Sequence, residues 1–194
     1  MKRLNKKGFT LIELLAVIVI MGVLMIVAIP AVSRTIENAR RDSFADTAKE
    51  YINAVRNAVL ADNISCKVNG NNVVASATPG NTTGQVYYYA FATGTKVAGS
   101  YNDRDLLTTT ASDLMESGGK SPFGNAEIEG TVQWFKQVDT TTGKTTTTYS
   151  IALRDSSNHG WATPIEESAI ARSKVGNAVT SPLSNPTGID CFMN

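Results

Sequence analysis

The residue best placed to do chemistry in this sequence is Glu13, a single acid near the start of a long apolar run. A carboxylate at the edge of hydrocarbon costs about 2.5–3.5 kcal/mol, so an acid in this position predicts a functional role. It also predicts a cationic partner, because an unpaired buried charge is more costly than a paired one. The alternative interpretation is that Glu13 reaches the lipid headgroups or is protonated. Gly8 and Phe9 stand just before it and follow the bases Lys6 and Lys7.

The apolar run from Leu14 to Val32 contains nineteen residues without a charge. At about 1.5 Å per residue, a helix of this length reaches roughly 28 Å, close to the ~30 Å hydrocarbon core of a bilayer. We therefore predict one membrane span within residues 9–32. No small-residue cleavage site follows the run, so an ordinary secretory signal is not indicated.

The charge distribution predicts how the chain crosses the membrane. The whole chain carries +1, and without the four bases of residues 1–8 the remainder carries −3. The positive-inside rule keeps the amino-terminal cluster in the cytoplasm and exports the rest. Arg34, Arg40 and Arg41, beyond the apolar run, weaken this argument, although the acids Glu37 and Asp42 reduce the local positive charge.

Length and composition limit the architecture and the function. A chain of 194 residues fits one domain with an appendage better than two full cores. With 42% hydrophobic and 18% charged residues, wholesale disorder, a collagen-like chain and a polybasic nucleic-acid binder are excluded as the main interpretation.

The helical pattern continues beyond the apolar run to about Asp62. Apolar residues recur there at three- and four-residue spacing, which indicates an amphipathic helix with one apolar stripe. The stripe comprises Ile36, Phe44, Ala48, Tyr51, Ile52, Val55 and Val59. Gly22 and Pro30 interrupt the apolar half, and a proline inside a helix removes a hydrogen bond and bends the helix.

These residues together resemble the type IV prepilins and pseudopilins over roughly residues 1–60. The resemblance rests on the short basic leader, the Gly8-Phe9 junction and the spacing of Glu13 at the head of the apolar stretch. It implies that a prepilin peptidase removes residues 1–8 by cutting between Gly8 and Phe9, and then methylates the new amino group of Phe9. It also implies that Glu13 pairs with the Phe9 amine of a neighbouring subunit. Gly22 and Pro30 would let the helix curve or melt in a filament.

The same resemblance implies a structural subunit of a type IV pilus. The precursor would sit in the cytoplasmic membrane and polymerise into a surface filament for adhesion, twitching motility or DNA uptake. Its partners would be other copies of the chain, the prepilin peptidase, an assembly ATPase and a platform protein. One alternative is a pseudopilin or minor pilin of a type II secretion or competence system. A second alternative is a monomeric, membrane-anchored binding module.

Beyond the long helix of residues 9–62, residues 63–194 predict a β-rich head. The clearest element is a hairpin with arms at residues 131–138 and 145–153 joined by a glycine-containing loop. Residues 86–92 predict another strand and residues 73–74 a weaker one. We expect an α+β fold of the type IV pilin kind, in which the apolar half of the helix protrudes and a small antiparallel sheet packs on its amphipathic half.

Two further local signals predict elements of the head. Thr163, Pro164 and Glu166 match a helix cap, a first-turn proline and a capping-box acid, and they predict a short helix through about Ser173. The segment of residues 120–125 resembles a turn found in pilin and pseudopilin heads.

Cys66 and Cys191 are the only cysteines. In an exported domain, an even number of cysteines predicts a disulfide, with two free thiols as the alternative. The bond would join the chain's end to the end of the helix. Its wide spacing departs from the shorter carboxy-terminal loop of many pilins.

Other residues suggest chemistry only weakly, and we expect no enzyme, no cofactor and no metal site. His159 is the only histidine, Gly143-Lys144-Thr145 lies in a predicted hairpin loop, and the net negative head argues against generic nucleic-acid affinity. The remaining candidates are the loop acids Asp103, Asp105 and Asp113, the aromatic run Tyr87 to Phe91, and glycosylation patterns at Asn63 and Asn81. Solvated loops and ordinary strand packing explain them more simply.

Overall fold

The structure is a computed structural model that describes residues 9–67, 74–76, 82–91, 120–124, 126–139, 141–181, 183 and 189–193. The predicted leader with Gly8, the loop acids Asp103, Asp105 and Asp113, and Asn81 lie outside the described residues. The chain divides into two compact units, Met1–Ala39 and Arg40–Asn194.

The long helix α1 spans Leu11–Leu60, which confirms the predicted long amino-terminal helix. Two residues beyond the helix, Asp62 has a left-handed backbone conformation with a φ of 61°. The N–H of Asn63 donates to the carbonyl of Ala58 at 2.9 Å, and the N–H of Asp62 donates to that of Val59 at 3.4 Å. These two bonds form a Schellman motif, which gives carbonyl groups of the last helical turn their hydrogen-bond donors.

The two halves of α1 differ in what covers them. In the unit Met1–Ala39 the apolar side chains from Leu11 to Val32 are exposed. In the unit Arg40–Asn194 the helix buries one stripe, namely Phe44, Ala45, Ala48, Tyr51, Ile52 and Val55. Ile36, which the spacing placed on this stripe, is 48% exposed. That assignment was wrong, because the buried part of the stripe begins two turns later, at Phe44.

The rest of the described chain is mostly β-strand. The strands are β1 (Ile64–Lys67), β2 (Val74–Ser76), β3 (Thr82–Phe91), β4 (Ile128–Asp139), β5 (Thr145–Asp155), β6 (Gly160–Glu166) and β7 (Ile189–Met193). Within the described ranges they form one sheet in the order β1-β7-β3-β4-β5-β6, with β2 beside β3. The architecture is therefore α+β and like that of a type IV pilin, as predicted.

Strands β3 to β6 are successively antiparallel, and the predicted hairpin is β4 with β5. One pairing differs from the expected antiparallel sheet, because β7 runs parallel to β3. On its other side β7 is antiparallel to β1, where Cys66 lies opposite Cys191. The structure joins these two cysteines by a disulfide.

The core lies between the buried stripe of α1 and one face of the sheet. Val132, Ile151 and Leu153 from β4 and β5 are fully buried in the same cluster as Phe44 and Tyr51. Aromatic contacts extend this core, since the Phe44 ring lies 5.9 Å from that of Trp161. The Trp161 indole is also satisfied, because its Nε1–H donates to the carbonyl of Ile151 at 2.7 Å.

The predicted short helix from Thr163 to about Ser173 was wrong. Residues through Glu166 belong to strand β6, and two single 3₁₀ turns follow at Glu167–Ala169 and Arg172–Lys174. Trp161 is buried and Ile165 packs against the core, so tertiary packing outweighs the local capping signal. Pro164 is accommodated because β6 is an edge strand, where a missing N–H is tolerated.

One ion pair is buried on the sheet face opposite the helix. The Arg154 Nε–H donates to Glu129 Oε1 at 2.9 Å, and Nη2 donates to the same oxygen. The side chains are 8% and 6% exposed. The Arg154 Nη1 group also donates to the carbonyl of Ser181 at 3.1 Å, which ties the segment after β6 to the sheet.

We expect Glu129→Ala to lower the free energy of unfolding by about 3–5 kcal/mol, because it leaves the Arg154 guanidinium buried without its carboxylate. Urea unfolding of the full chain in detergent micelles, followed by near-ultraviolet circular dichroism, measures the change. Lys136→Ala, an exposed site on the same strand, is the control and should change it by no more than about 0.5 kcal/mol. Equal stability of both variants would contradict the role of the pair.

The hairpin loop between β4 and β5 is organised by Asp139. Its Oδ1 accepts hydrogen bonds from the N–H groups of Thr141 and Thr142 at 2.8 and 3.1 Å. These donors hold the pKa of the Asp139 carboxyl below its ordinary value. Gly143 completes the loop with a φ of 68°, a left-handed conformation that favours glycine.

The lowered pKa of Asp139 predicts an acid-sensitive loop. The stabilisation by the charged carboxylate is complete above the ordinary pKa of 3.8 and is lost as the pH falls through the lower folded-state value. We expect the amide shifts of Thr141 and Thr142 to move together below pH 4 in an NMR titration. Asp139→Asn, which keeps the acceptor oxygen but does not titrate, should abolish this movement. Its persistence in that variant would contradict the assignment.

Candidate functional site

The candidate site is the amino-terminal end of α1, where Phe9 and Thr10 precede the first helical residue, Leu11. The first four N–H groups of any helix lack partners within the helix. In hydrocarbon such groups are especially costly, since no water is present to satisfy them. The residues at this end must therefore supply acceptors from their own side chains or from a partner.

Thr10 and Glu13 satisfy these groups reciprocally. The Thr10 N–H donates to Glu13 Oε2 at 2.8 Å, and the Thr10 hydroxyl donates to the same oxygen at 2.8 Å. In return, the Glu13 N–H donates to Thr10 Oγ1 at 3.3 Å. This is a capping box, with Thr10 as N-cap and Glu13 three residues later. The negative carboxylate also lies at the positive end of the helix dipole, where it is favoured.

Thr10 is the residue of this site that the sequence interpretation missed. A Thr followed three residues later by Glu, directly before an apolar run, is the sequence signature of a capping box. The structure therefore gives Glu13 a local hydrogen-bond partner that the argument for a cationic partner did not consider. Both donations from Thr10 go to Oε2, so the other carboxylate oxygen is not used by this box.

Phe9 stands next to the box and is 90% exposed. The Gly8-Phe9 bond itself lies outside the described residues. The predicted pairing of Glu13 with a Phe9 amine of another copy stays a prediction, since a single chain contains no neighbour.

The apolar helix that follows exposes side chains in all directions. From Leu11 to Val32 none of them is buried, and each large one is about half exposed or more, such as Val17 at 49% and Ile26 at 74%. Within the described part of the chain, α1 is long and apolar enough to cross a membrane. An apolar surface of this extent indicates a lipid or protein covering.

Gly22 and Pro30 both lie inside α1, which is assigned as helix without interruption. Apart from the adjacent residues and the helix's own backbone, no atom lies within 4 Å of the position that a Gly22 side chain would occupy. Pro30 has no N–H to donate within the helix. Their predicted role in bending or melting the helix stays a prediction.

A second polar cluster brings together Ser121, Asp155 and His159. The Ser121 hydroxyl donates to Asp155 Oδ2 at 2.7 Å, and the His159 Nδ1 atom lies 3.0 Å from the same oxygen. The serine is therefore bonded to the acid and not to the histidine, so the cluster lacks the nucleophile–base contact of hydrolytic triads. The His159 ring stacks on Phe123 at 3.9 Å. These contacts join the turn at Pro122–Gly124 to the end of β5, which is a packing role.

A surface groove of about 380 Å³ lies beside Arg56, Tyr149 and Glu167. The Arg56 guanidinium stacks on the Tyr149 ring at 4.6 Å and pairs with the Glu167 carboxylate. Burial raises the pKa of the Tyr149 hydroxyl, and the Arg56 charge opposes this shift. Arg56 and Glu167, two of the charged groups that line the groove, thus satisfy each other. The Tyr149 ring is also part of a stacked row with Trp134 and Tyr87.

The remaining sequence candidates do not form a site. Gly143 and Lys144 lie in the β4–β5 hairpin loop rather than between a strand and a helix, where a phosphate loop is found. Tyr87 packs against the core, and the side chains of Tyr88, Tyr89 and Phe91 lie outside the description. Among the described residues, no group of three metal-binding side chains comes together.

Comparison with known proteins finds a family match at this end of the chain. Residues 3–29 match the family described as the prokaryotic N-terminal methylation motif. No curated protein and no solved structure matches the chain. The match covers the leader and the start of α1, which are the residues that carried the resemblance in the sequence.

We expect Thr10→Val to destabilise the first turn of α1 by about 1 kcal/mol, because it removes the hydroxyl oxygen that accepts a hydrogen bond from the Glu13 N–H. Amide exchange of Glu13, measured by NMR on the full chain in micelles, should accelerate about fivefold, the factor that this energy corresponds to. Thr10→Ser keeps the hydroxyl and serves as the control with unchanged exchange. Unchanged exchange in Thr10→Val would show that the box does not hold this end of the helix.

Proposed function

We infer the function from the prokaryotic N-terminal methylation motif at residues 3–29, which is the class III signal peptide of type IV pilins. This motif is a prepilin peptidase cleavage and methylation site. It supports a precursor of the type IV pilin-like or pseudopilin class and points to a structural protein rather than an enzyme. The apolar part of α1 fits the membrane anchoring of such a precursor.

We propose that the chain is the structural subunit of a type IV pilus. It is inserted in the cytoplasmic membrane, cut between Gly8 and Phe9, methylated on the Phe9 amine and polymerised into a surface filament. The observation that carries the proposal is the apolar stretch of helix from Leu11, which is exposed on all sides and has Glu13 as its only charge before Arg34. Copies of this helix packed against each other would cover that surface as lipid covers it before assembly.

Glu13 gives the proposed filament its register. When a subunit leaves the lipid, its carboxylate enters an apolar bundle where an unpaired charge costs several kcal/mol. The Phe9 amine of a neighbouring copy is a cation created only by cleavage. A misplaced subunit would bury both charges unpaired, which is costly. The pair would therefore disfavour wrong registers more than it would stabilise the correct one. The capping box makes Glu13 tolerable in a single subunit, because Thr10 already supplies two donors.

Processing is tested by expressing the full chain beside a prepilin peptidase and measuring the mass of the product. We expect loss of residues 1–8 and the addition of one methyl group on Phe9. An unprocessed chain, or a product that starts at another residue, contradicts the proposal. Sheared surface fibres made mostly of this chain would favour a major pilin over a pseudopilin or minor pilin. An uncleaved Phe9 together with a monomeric chain would favour the anchored binding module.

Two substitutions separate the intermolecular pair from the local cap. Glu13→Gln keeps an oxygen that can accept from Thr10 but removes the charge, whereas Thr10→Val keeps the charge and removes the hydroxyl. We expect Glu13→Gln to lower the yield of sheared filaments by about 100-fold or more, since a buried ammonium without its carboxylate costs roughly 3–5 kcal/mol. Thr10→Val should lower it by less than about tenfold.

Glu50→Gln, an exposed acid elsewhere on α1, is the matched control and should assemble normally. Cleavage is measured in parallel, so that a filament defect is scored only on processed chains. Normal filaments from Glu13→Gln would overturn the pairing, and a larger defect in Thr10→Val would assign the role of Glu13 to the cap.

A further inference from the structure

Strand β5 has an outer edge that strand β6 covers only in part. The pairing of β5 with β6 runs from Arg154 back to Ser150, which lies opposite Glu166. After Glu166 the chain turns away into the 3₁₀ turn Glu167–Ala169. Residues 145–148 therefore pair with β4 on one side, while no described strand pairs with their other side. An uncovered strand edge is a template for pairing with a further strand.

Two hydrogen bonds fix which backbone groups face this edge. The Asp139 N–H donates to the carbonyl of Lys144 at 3.0 Å, so the even-numbered residues of β5 turn their backbone groups toward β4. The Asp155 N–H donates across the other edge, at 2.9 Å, to the carbonyl of the residue that precedes β6. The register of β4 with β5 is uninterrupted between these two points. Because backbone groups alternate between the two edges of a strand, Thr145 and Thr147 direct their N–H and C=O groups outward.

The groove of about 380 Å³ described above lies along this edge. Thr147 and Thr148 belong to opposite faces of the sheet, yet both line the groove, which therefore follows the edge of β5 rather than either face. Glu166 and Ser168 also line it, at the point where β6 ends. Residues 145–148 span about 14 Å at ~3.4 Å per residue, which is enough for an extended peptide of about four residues.

The chemistry of the groove favours a polypeptide over other ligands. A sugar would stack on an aromatic ring, but the Tyr149 ring is already in contact with the Arg56 guanidinium, which is paired with Glu167. A phosphate would be repelled by Glu166, whose exposed carboxylate has no ion pair or hydrogen bond within the part of the chain that the structure describes. Residues 145–148 are exposed threonines without charge. An uncharged strand edge beside one acid suits an extended strand with a basic side chain.

From these observations we propose that the outer edge of β5 at residues 145–148 binds an extended segment of a partner protein that carries a lysine or an arginine. The segment would continue the sheet beyond Glu166, and its main-chain hydrogen bonds to Thr145 and Thr147 would give affinity. Its basic side chain would pair with Glu166 and set the register. This binding goes beyond the role of a filament subunit and requires neither cleavage nor polymerisation.

The test is an NMR titration of the full chain in detergent micelles with the synthetic peptide acetyl-TTKTT-amide. We expect the main-chain N–H signals of Thr145 and Thr147 to shift and their exchange to slow, because these groups gain acceptors from the peptide. The N–H groups of Thr146 and Thr148 face β4 and should change little. The control peptide acetyl-TTETT-amide has the same backbone with the charge reversed, and its Kd should be about fivefold higher.

Two pairs of variants separate the main chain from the side chains. Thr147→Pro removes the outward N–H without breaking a bond to β4, and it should raise the Kd of the lysine peptide about fivefold or more. Thr147→Val keeps that N–H and should bind as the wild-type chain does. Glu166→Gln should raise the Kd up to about fivefold and abolish the preference for lysine over glutamate. Glu50→Gln, an exposed acid on α1, should change neither. Near-ultraviolet circular dichroism verifies that each variant folds.

Absence of shifts at about 10 mM peptide, or equal shifts throughout residues 145–148, would overturn the proposal. So would equal binding of the two peptides, or a loss in Thr147→Val as large as that in Thr147→Pro, since the site would then not be a strand edge beside an acid. Slow exchange of Thr145 and Thr147 without peptide, if it becomes slower as the chain concentration rises, would assign the edge to a second copy of the chain instead. None of these readouts depends on peptidase cleavage, so this proposal and the filament proposal fail separately.

Discussion

The carboxylate of Glu13 is the group on which the apolar half of α1 depends. It is the one charged side chain between Phe9 and Arg34, in a stretch of helix whose apolar side chains are all exposed. In lipid it would have to be stabilised without water. The capping box does this at the helix end, where the first N–H groups need acceptors and the helix dipole favours negative charge. The acid and the unsatisfied helix end thus stabilise each other, and the partner proposed from another copy would add register to a site that is already locally satisfied.

The same local pattern led to different structures at two places in this chain. Thr10 and Glu13 form a capping box, whereas Thr163 and Glu166 have the same spacing and lie in strand β6. Around the second pair, Trp161 and Ile165 alternate toward the core and pair with β5. A cap contributes about 1 kcal/mol, while burial of one large side chain contributes about 1.5–3 kcal/mol. A local capping signal therefore determines the secondary structure only where burial of side chains does not favour another conformation, as at the exposed start of α1.

Much of the fold was predictable because it rests on local pattern. The length of α1, the stripe from Phe44 to Val55 and the β4–β5 hairpin follow from spacing and from loop residues such as Gly143. The buried pair of Glu129 and Arg154 was not predictable, since it joins residues that become neighbours only through the register of two strands. At the candidate site, Phe9 and Glu13 were identified from the motif. Thr10 was missed because the acid was considered without the helix end that it caps.

The place of β7 shows most clearly what spacing along the chain cannot predict. This strand comes from the end of the sequence and lies between β1 and β3, so strand order departs from chain order. Hydrophobic alternation indicates a strand but not its neighbour, and a pairing across some 125 residues leaves no local signal. The cysteines are the exception, because an even number of cysteines in a domain that the sequence predicts to be exported favours a bond. That bond joins β7 to β1, which follows directly on the capped end of α1. The disulfide thereby closes residues 66–191 into one covalent loop that begins just beyond the capped end of α1.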